Sequence, residues 1–300
     1  MIFEGKPLYL QTEKLKQYIM TTVQFRNEKC EKTIKKFIDS NKRVNIILTS
    51  PPYNTARNVK TQKAIDTHNN RYDGYSDNMT GEEYTEWSVD LFNQFDKILA
   101  KDGVILYNLS YGSENPNVMW VTLGNIVGRT NFMIADCIIW KKKSALPNNV
   151  SHNKLTRITE FVFVICRKNE FKTFYANKKI TKYGGKLGTQ PYYENVYNFI
   201  EAPNNDGSCN LNKATYSSDL CEQLLNIYAN EKSIVYDPFM GTGTTAIGCI
   251  KFNENNNQII CVGSEISKAQ VEYSCERSHN FLQENNQTAD IRCFINKEQN

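Results

Sequence analysis

A doubly wound, mostly parallel α/β sheet is the fold that this chain predicts, on three observations. Apolar runs of strand length alternate with helical periodicity along most of it. The run Val104-Ile105-Leu106-Tyr107 is apolar throughout, as a strand covered on both faces requires. Two other runs, Val44 to Leu48 and Ser233 to Tyr236, end in turns dense in proline or glycine, at the sheet edge where open α/β folds bind ligands.

Cys30, Ile34, Phe37 and Ile38 fall at helical spacing and predict a helix over 29–39, and a polar turn at 39–42 leads into the strand 44–48. Residues 54–80 are polar, turn-rich and longer than an inert connection, so they are expected to form a mobile loop over the neighbouring turn. Thr80 and Glu83 make a capping box. Tyr84, Trp87, Leu91, Phe92, Phe95, Ile98 and Leu99 then form one apolar helix face, expected to be core rather than ligand-binding. Lys101-Asp102-Gly103 is expected to turn the chain into a buried strand at 104–107, with further strands at 133–140 and 161–166. Periodicity is lost over 168–212, where glycine and proline accumulate and an insert is expected. A helix at 220–229, strand at 233–236, helix at 244–252, strand at 258–262 and helix at 267–281 complete the alternation. Three segments follow: residues 1–167, an insert at 168–210, and residues 211–300.

Three hundred residues can bury a sizeable core. Nine cysteines, an odd number with no Cys-x-x-Cys pair, argue against a disulfide framework and against a zinc site, and reduced thiols in a cytoplasmic protein are expected. His68, His152 and His279 show no ligand spacing, so no metal is expected. The first residues lack the apolar core of a signal peptide, and no run is long enough to span a bilayer. Net charge is only +4, yet Lys141 to Gln190 carries twelve Lys and Arg against two acids, a local +10. Interleaved with Tyr175, Tyr183, Tyr192 and Tyr193, this segment suits a polyanion; the plainer reading is a solvated lysine-rich face.

Two motifs carry the chemistry. Ser50-Pro51-Pro52-Tyr53 closes the first strand in a stiff, aromatic-tipped turn that could grip a planar ring and polarise an amino group. Asp237-Pro238-Phe239-Met240-Gly241-Thr242-Gly243-Thr244-Thr245 passes from a strand through a glycine-rich turn into a helix, where glycine leaves room for a ligand. Glu265 follows just after the next strand, where a carboxylate can accept both hydroxyls of a ribose. A nicotinamide site would want a third glycine and a phosphate loop would want Gly-Lys-Ser or Gly-Lys-Thr; neither is present. S-adenosylmethionine is the remaining fit, with Asp237 near its amino-acid end and Phe239 beside the adenosyl group.

These motifs, in this order, resemble the β class of exocyclic amino DNA methyltransferases over nearly the whole chain. Ile138-Ile139-Trp140-Lys141, Arg157 and Glu160-Phe161-Val162 are similar to the segment before that family's target-recognition region. Asn212-Lys213-Ala214-Thr215-Tyr216 departs from the usual His-Pro-Ala-x-Phe, and Lys29 stands where an acid near the adenine is usual. The resemblance implies a Rossmann-like methyltransferase sheet with a basic target-recognition insert, and catalysis by Ser50, Pro51, Pro52 and Tyr53. Asp237, Phe239, Gly241, Thr242, Gly243, Thr244 and Glu265 would hold the cofactor, and Lys141, Lys142, Lys143 and Arg157 would contact DNA. It also implies duplex DNA as partner, a cognate restriction endonuclease or second methyltransferase beside it, and a homodimer as the assembly to test.

An exocyclic amine is a poor nucleophile because its lone pair is delocalised into the ring. Bonds from the amine to Ser50 Oγ and the Pro51 carbonyl would favour a pyramidal nitrogen, while Tyr53 stacks on an extruded base. In the family, serine at the first position goes mostly with cytosine N4 and aspartate mostly with adenine N6, so cytosine N4 is expected and adenine N6 is its rival. Cytosine C5 chemistry would need a Pro-Cys nucleophile, and no cysteine here follows a proline. Methylation of RNA or of a protein amide is a second enzymatic reading, and a catalytically silent DNA-binding protein is the non-enzymatic one.

Overall fold

The computed structural model describes residues 20–54, 79–112, 116–145, 147–149, 151–207, 209, 211–212, 214–253 and 258–295. The loop expected over 54–80 therefore lies almost wholly outside the described residues. Nine strands form one sheet: β1 (Thr22–Asn27), β2 (Val44–Thr49), β3 (Leu99–Leu109), β4 (Phe132–Lys142), β5 (Thr159–Arg167), β8 (Phe199–Ala202), β9 (Ile234–Asp237), β10 (Ile260–Glu265) and β11 (Asp290–Phe294). Two further strands, β6 (Ile180–Gly184) and β7 (Gln190–Tyr193), pair with each other and, among the described residues, with no other strand. The spatial order of the large sheet is β11-β1-β10-β9-β2-β3-β5-β4-β8, and every neighbouring pair is parallel except the two made by β5. The predicted doubly wound sheet is thus observed, with β5 as its one reversed strand.

Helices α1 (Cys30–Asp39), α2 (Gly81–Ile98), α3 (Val118–Arg129), α4 (Ser218–Tyr228), α5 (Thr244–Phe252) and α6 (Lys268–Glu284) cover the two faces. One face buries Phe25, Leu48, Leu106, Trp140, Leu224 and Ile250 in a common cluster; the other buries Ile34, Ile47, Phe92, Phe95, Tyr107, Phe132 and Tyr236. The capping box is formed: the Glu83 N–H donates to Thr80 Oγ1 at 3.1 Å and the Thr80 N–H to Glu83 Oε2 at 2.8 Å. Helix α2 ends one residue before the predicted Leu99, which already pairs with Val44 as the first residue of β3. The expected turn survives inside that strand as an irregularity, with Asp102 left-handed at φ 57° and the pairing resuming at Ile46 and Val104.

The segment 168–210, expected as an insert, contains strands β6, β7 and β8. β6 and β7 form an antiparallel hairpin that is mostly exposed, whereas β8 returns to the main sheet beside β4. Strands β1, β8 and β11, helix α3 and this hairpin are additions to the elements read from the sequence. Cys275 of α6 and Cys293 of β11 are joined as a disulfide, which corrects the expectation that every thiol is reduced; the other seven cysteines are unpaired. No helix among the described residues is long and apolar enough to cross a membrane.

Candidate active site

β2 delivers Ser50 at its carboxyl end, and the proline pair restricts the backbone that follows. Helix α2 fixes the turn from the side: Tyr84, 1 % exposed, donates its hydroxyl to the Pro52 carbonyl at 2.8 Å. Beyond the turn, Asn54 is left-handed at φ 51° and donates through Nδ2 to the Met79 carbonyl at 2.8 Å, joining the two ends of the 55–78 segment. The Tyr53 hydroxyl lies 3.0 Å from Ser50 Oγ, 2.9 Å from Asn108 Oδ1 and 3.2 Å from Glu160 Oε2. Asn108 comes from β3 and Glu160 from β5, so the reversed strand supplies one wall of the Ser50–Tyr53 turn.

The glycine-rich turn begins where β9 ends. Gly241 and Gly243 are left-handed at φ 54° and 85°, a conformation costly for residues with a Cβ. A Cβ on Gly243 would meet the Ser274 Cβ at 3.0 Å and one on Gly241 would meet Asn212 Nδ2 at 3.1 Å. Glycine is needed here by the backbone conformation and by close packing, more than by the space a ligand would take. Gly243 then caps α5, which starts at Thr244 as the periodicity predicts.

Asp237 is 1 % exposed and wholly occupied by the protein. Its Oδ1 accepts from Thr49 Oγ1 at 2.7 Å and from the Phe239 N–H at 2.9 Å; its Oδ2 accepts from Thr245 Oγ1 at 2.5 Å and from the Tyr216 hydroxyl at 3.4 Å. Burial raises its pKa, and these donors pull against that rise. Glu265 ends β10, and burial raises its pKa as well. Its Oε2 accepts the Gly241 N–H at 3.0 Å and its Oε1 the Ser267 N–H at 2.8 Å, which leaves acceptor positions on both oxygens.

Both motifs open into one cavity of about 380 Å³, the size of a small-molecule site. Ser50 and Pro52 line one part of it, and Phe239, Gly241, Thr242, Thr244 and Glu265 another. Asp237, Gly243, Pro51 and Tyr53 are not in its lining: they shape the turns that are. Thr242 Oγ1 is buried without a partner among the described residues, in the cavity wall, where a polar ligand atom would satisfy it. The residue set therefore fits S-adenosylmethionine: an acid for the ribose, aromatics for the adenosyl group and hydroxyls for the polar end.

Several wall residues carry no sequence signal for this role. Trp87 lines the cavity and packs against Phe239 with ring centroids 5.6 Å apart, so the α2 face read as core also reaches the ligand space. Asn212, Ala214, Thr215 and Tyr216 form another side, which places the departing segment at the cavity after all. Lys29 lines it too, with Glu28 and Glu31 beside it in the same wall. The Glu28 carboxylate is held by Lys36 Nζ at 2.6 Å and Thr33 Oγ1 at 2.7 Å; burial works to raise its pKa, and these bonds with the Lys36 and Arg26 charges outweigh it and keep it low.

The candidate DNA contacts are spread along the β4–β5 side. Lys141 pairs with Glu201 at 2.7 Å. Lys142 pairs with Glu160, and its Nζ stands 5.0 Å from the Trp140 ring centroid. Arg157 stacks over Tyr111 at 5.0 Å and donates to that residue's carbonyl. Lys143 is exposed, as are Lys154, Lys178, Lys179 and Lys186, and none of the five is in an ion pair among the described residues. Arg167 and Lys168, counted in the basic segment, are committed to Asp96, Glu170 and backbone carbonyls.

The chain is 26 % identical over 270 residues to the orphan methyltransferase M.BamHII of Bacillus amyloliquefaciens, covering 80 % of this chain and 90 % of that one. It is 24 % identical over 268 residues to the type II methyltransferase M.BglII of Bacillus subtilis, covering 83 % and 67 %. Among solved structures, the fold superimposes on the cytosine-N4-specific PvuII DNA methyltransferase with a TM-score of 0.59 at 16 % identity, covering 91 % of this chain and 95 % of that one. It superimposes on the M1.HpyAVI–SAM complex with a TM-score of 0.52 at 19 % identity, covering 85 % and 98 %. The DNA methylase family, which joins the N6 and N4 enzymes, matches residues 44–276, and with that span enclosing both motifs the chain belongs to this family of S-adenosylmethionine-dependent DNA methyltransferases.

Proposed function

We propose that this chain methylates the N4 amino group of cytosine at a specific sequence in duplex DNA, as the modification member of a restriction–modification pair. One observation carries the reading: Ser50, a neutral hydroxyl heading the Pro-Pro-Tyr turn, lines the same cavity as Glu265 and the Gly241 turn. S-adenosylmethionine supplies, when bound, an electrophilic methyl group on its sulfonium. Glu265 would take the ribose hydroxyls with its remaining acceptor positions, and Phe239 with Trp87 would lie beside the adenosyl group. Ser50 Oγ and the Pro51 carbonyl accept hydrogen bonds from the target amine and turn its lone pair outward. The base must leave the stack to reach them, at a cost of roughly a few kcal/mol.

Exposed Lys143, Lys154 and the lysines of the β6–β7 hairpin supply the charge for phosphates, and exposed Tyr183, Tyr192 and Tyr193 supply aromatic surface. The cytosine-N4 specificity of the PvuII enzyme and the type II designation of M.BglII support the base and the pairing with a nuclease. The test is incubation of the purified protein with unmethylated bacterial DNA and methyl-labelled cofactor, then nucleoside digestion and mass spectrometry. N4-methylcytosine is expected; N6-methyladenine would keep the residues and overturn the base.

A further inference from the structure

The hydroxyls of Ser50 and Tyr53 lie 3.0 Å apart, and either could donate to the other. What surrounds Tyr53 decides the direction. Asn108 is fully buried, and its Nδ2 donates to the Phe161 carbonyl at 3.0 Å, which leaves Oδ1 facing Tyr53. The flipped amide would set oxygen against oxygen at Phe161, so Asn108 offers Tyr53 an acceptor only. Glu160 also offers an acceptor, Oε2 at 3.2 Å, while its Oε1 is held by Lys142. A phenol has one proton, and these two oxygens compete for it. Ser50 must then donate to Tyr53, and its two lone pairs are left for the amine.

We infer that Glu160 is a positioning residue for methyl transfer: with Asn108 it draws the Tyr53 proton inward and so orients Ser50 as an acceptor toward the target amine, while Lys142 holds the carboxylate in place. The inference rests on the proposed role of Ser50 and is indifferent to which base carries the amine. It also gives Lys142, with its side chain 22 % exposed and Glu160's 16 %, a task other than phosphate binding. Replacing the carboxylate by an amide changes little in shape, but Gln can turn Nε2 toward Tyr53 and donate to it. Tyr53 can then donate to Ser50, whose hydroxyl proton would point at the amine.

The experiment compares wild type, Glu160→Gln, Tyr53→Phe and the double variant in single-turnover methylation of duplex DNA, with cofactor affinity measured separately by equilibrium dialysis. Glu160→Gln is expected to lower the methylation rate about 10- to 100-fold, the scale of a misaligned reacting group, with cofactor affinity and the DNA KM within about twofold. Tyr53→Phe removes the hydroxyl through which Glu160 acts, so the double variant should be no slower than the slower single variant. Losses that multiply, an unaltered rate in Glu160→Gln, or a parallel loss of cofactor binding would each overturn the inference. Lys142→Met supplies a second readout: a slower rate with an unchanged salt slope of DNA binding supports it, and a salt slope reduced by about one with an unchanged rate refutes it. The nucleoside identified in the same reactions separates the two readings. N6-methyladenine with the Glu160 effect intact removes only the cytosine assignment, and a wild-type protein that labels neither base removes both.

Discussion

Thr49→Val isolates the bond that ties the Ser50–Tyr53 turn to the glycine-rich turn. Thr49 is fully buried, and valine copies its shape, so the substitution removes a hydroxyl without opening a cavity. Asp237 Oδ1 would keep only the Phe239 N–H at 2.9 Å, while Oδ2 would keep Thr245 and Tyr216. A hydrogen bond to a charged group contributes about 1.5–3 kcal/mol, and the carboxylate that loses it has no water to turn to. The expected loss is therefore about 2 kcal/mol at neutral pH, a fall in Tm of roughly 4–8 °C for a chain of this size. A pH signature accompanies it. The Asp237 pKa is already raised by burial, so stability from this group is present below the ordinary carboxylate range and is lost as pH rises through the folded value. Removing one donor raises that value further, so the variant should lose stability more steeply on going from acid to neutral pH. Urea unfolding and thermal melts at several pH values measure both effects. A loss below about 0.5 kcal/mol at neutral pH, with no change in slope, would mean that the Thr49 bond does not contribute, and the linkage argued from Asp237 would fall.

Three further outcomes are expected. Glu265→Gln should weaken cofactor binding by about tenfold; because burial raises the Glu265 pKa, the cofactor-free wild type should lose stability as pH rises through that folded value, and the variant, which keeps only the Asp237 contribution, should lose less, as thermal melts at a series of pH values upward from the ordinary carboxylate range would show. Gly248→Ala should destabilise by about 1–3 kcal/mol in urea unfolding, since the added Cβ would stand 2.3 Å from the Cys221 Cβ of the packed helix α4, an overlap that outweighs a helix-propensity gain of about 1 kcal/mol. Lys143→Glu should reduce the salt slope of DNA binding by one or two contacts across all sequences and leave cofactor affinity unchanged; an unaltered slope would make Lys143 a solvated residue only.

Local rules were legible where local chemistry decides the structure. Thr80 and Glu83 form the cap that their spacing announces, α5 starts at Thr244 directly after Gly243, and Glu265 ends the strand that the apolar run 259–262 marks. Strand β1 carries a signal, since Val23 and Phe25 alternate inward, but two apolar residues among six, beside Gln24 and Arg26, are too few to mark a strand. Helix α3 is diluted by Gly124 and Gly128 and exposes Trp120 and Val121, so it carries no clear polar face. The candidate site is legible in its turns and not in its supports. Tyr84 and Asn108 reach the catalytic turn across 32 and 55 residues of chain, and no periodicity announces a bond of that kind. Asp237 reads as the acid of an open turn; only the sheet shows that four protein donors already surround it.

Sheet order explains why the two motifs make one site although 188 residues separate Thr49 from Asp237. β2 and β9 are parallel neighbours, with Ile46 opposite Val235 and Ile47 opposite Tyr236, so both strands release their chains at the same edge. The Thr49–Asp237 bond lies just beyond that register, one residue before Ser50 and four before Gly241. Neither turn can shift along its strand without breaking this bond or the sheet pairing behind it. Strand adjacency, rather than chain order, is what brings the Ser50–Tyr53 turn to the same cavity as the glycine-rich turn. A chain that presents its catalytic motif first can therefore build the same cavity as one that presents it last, provided that β2 and β9 remain side by side.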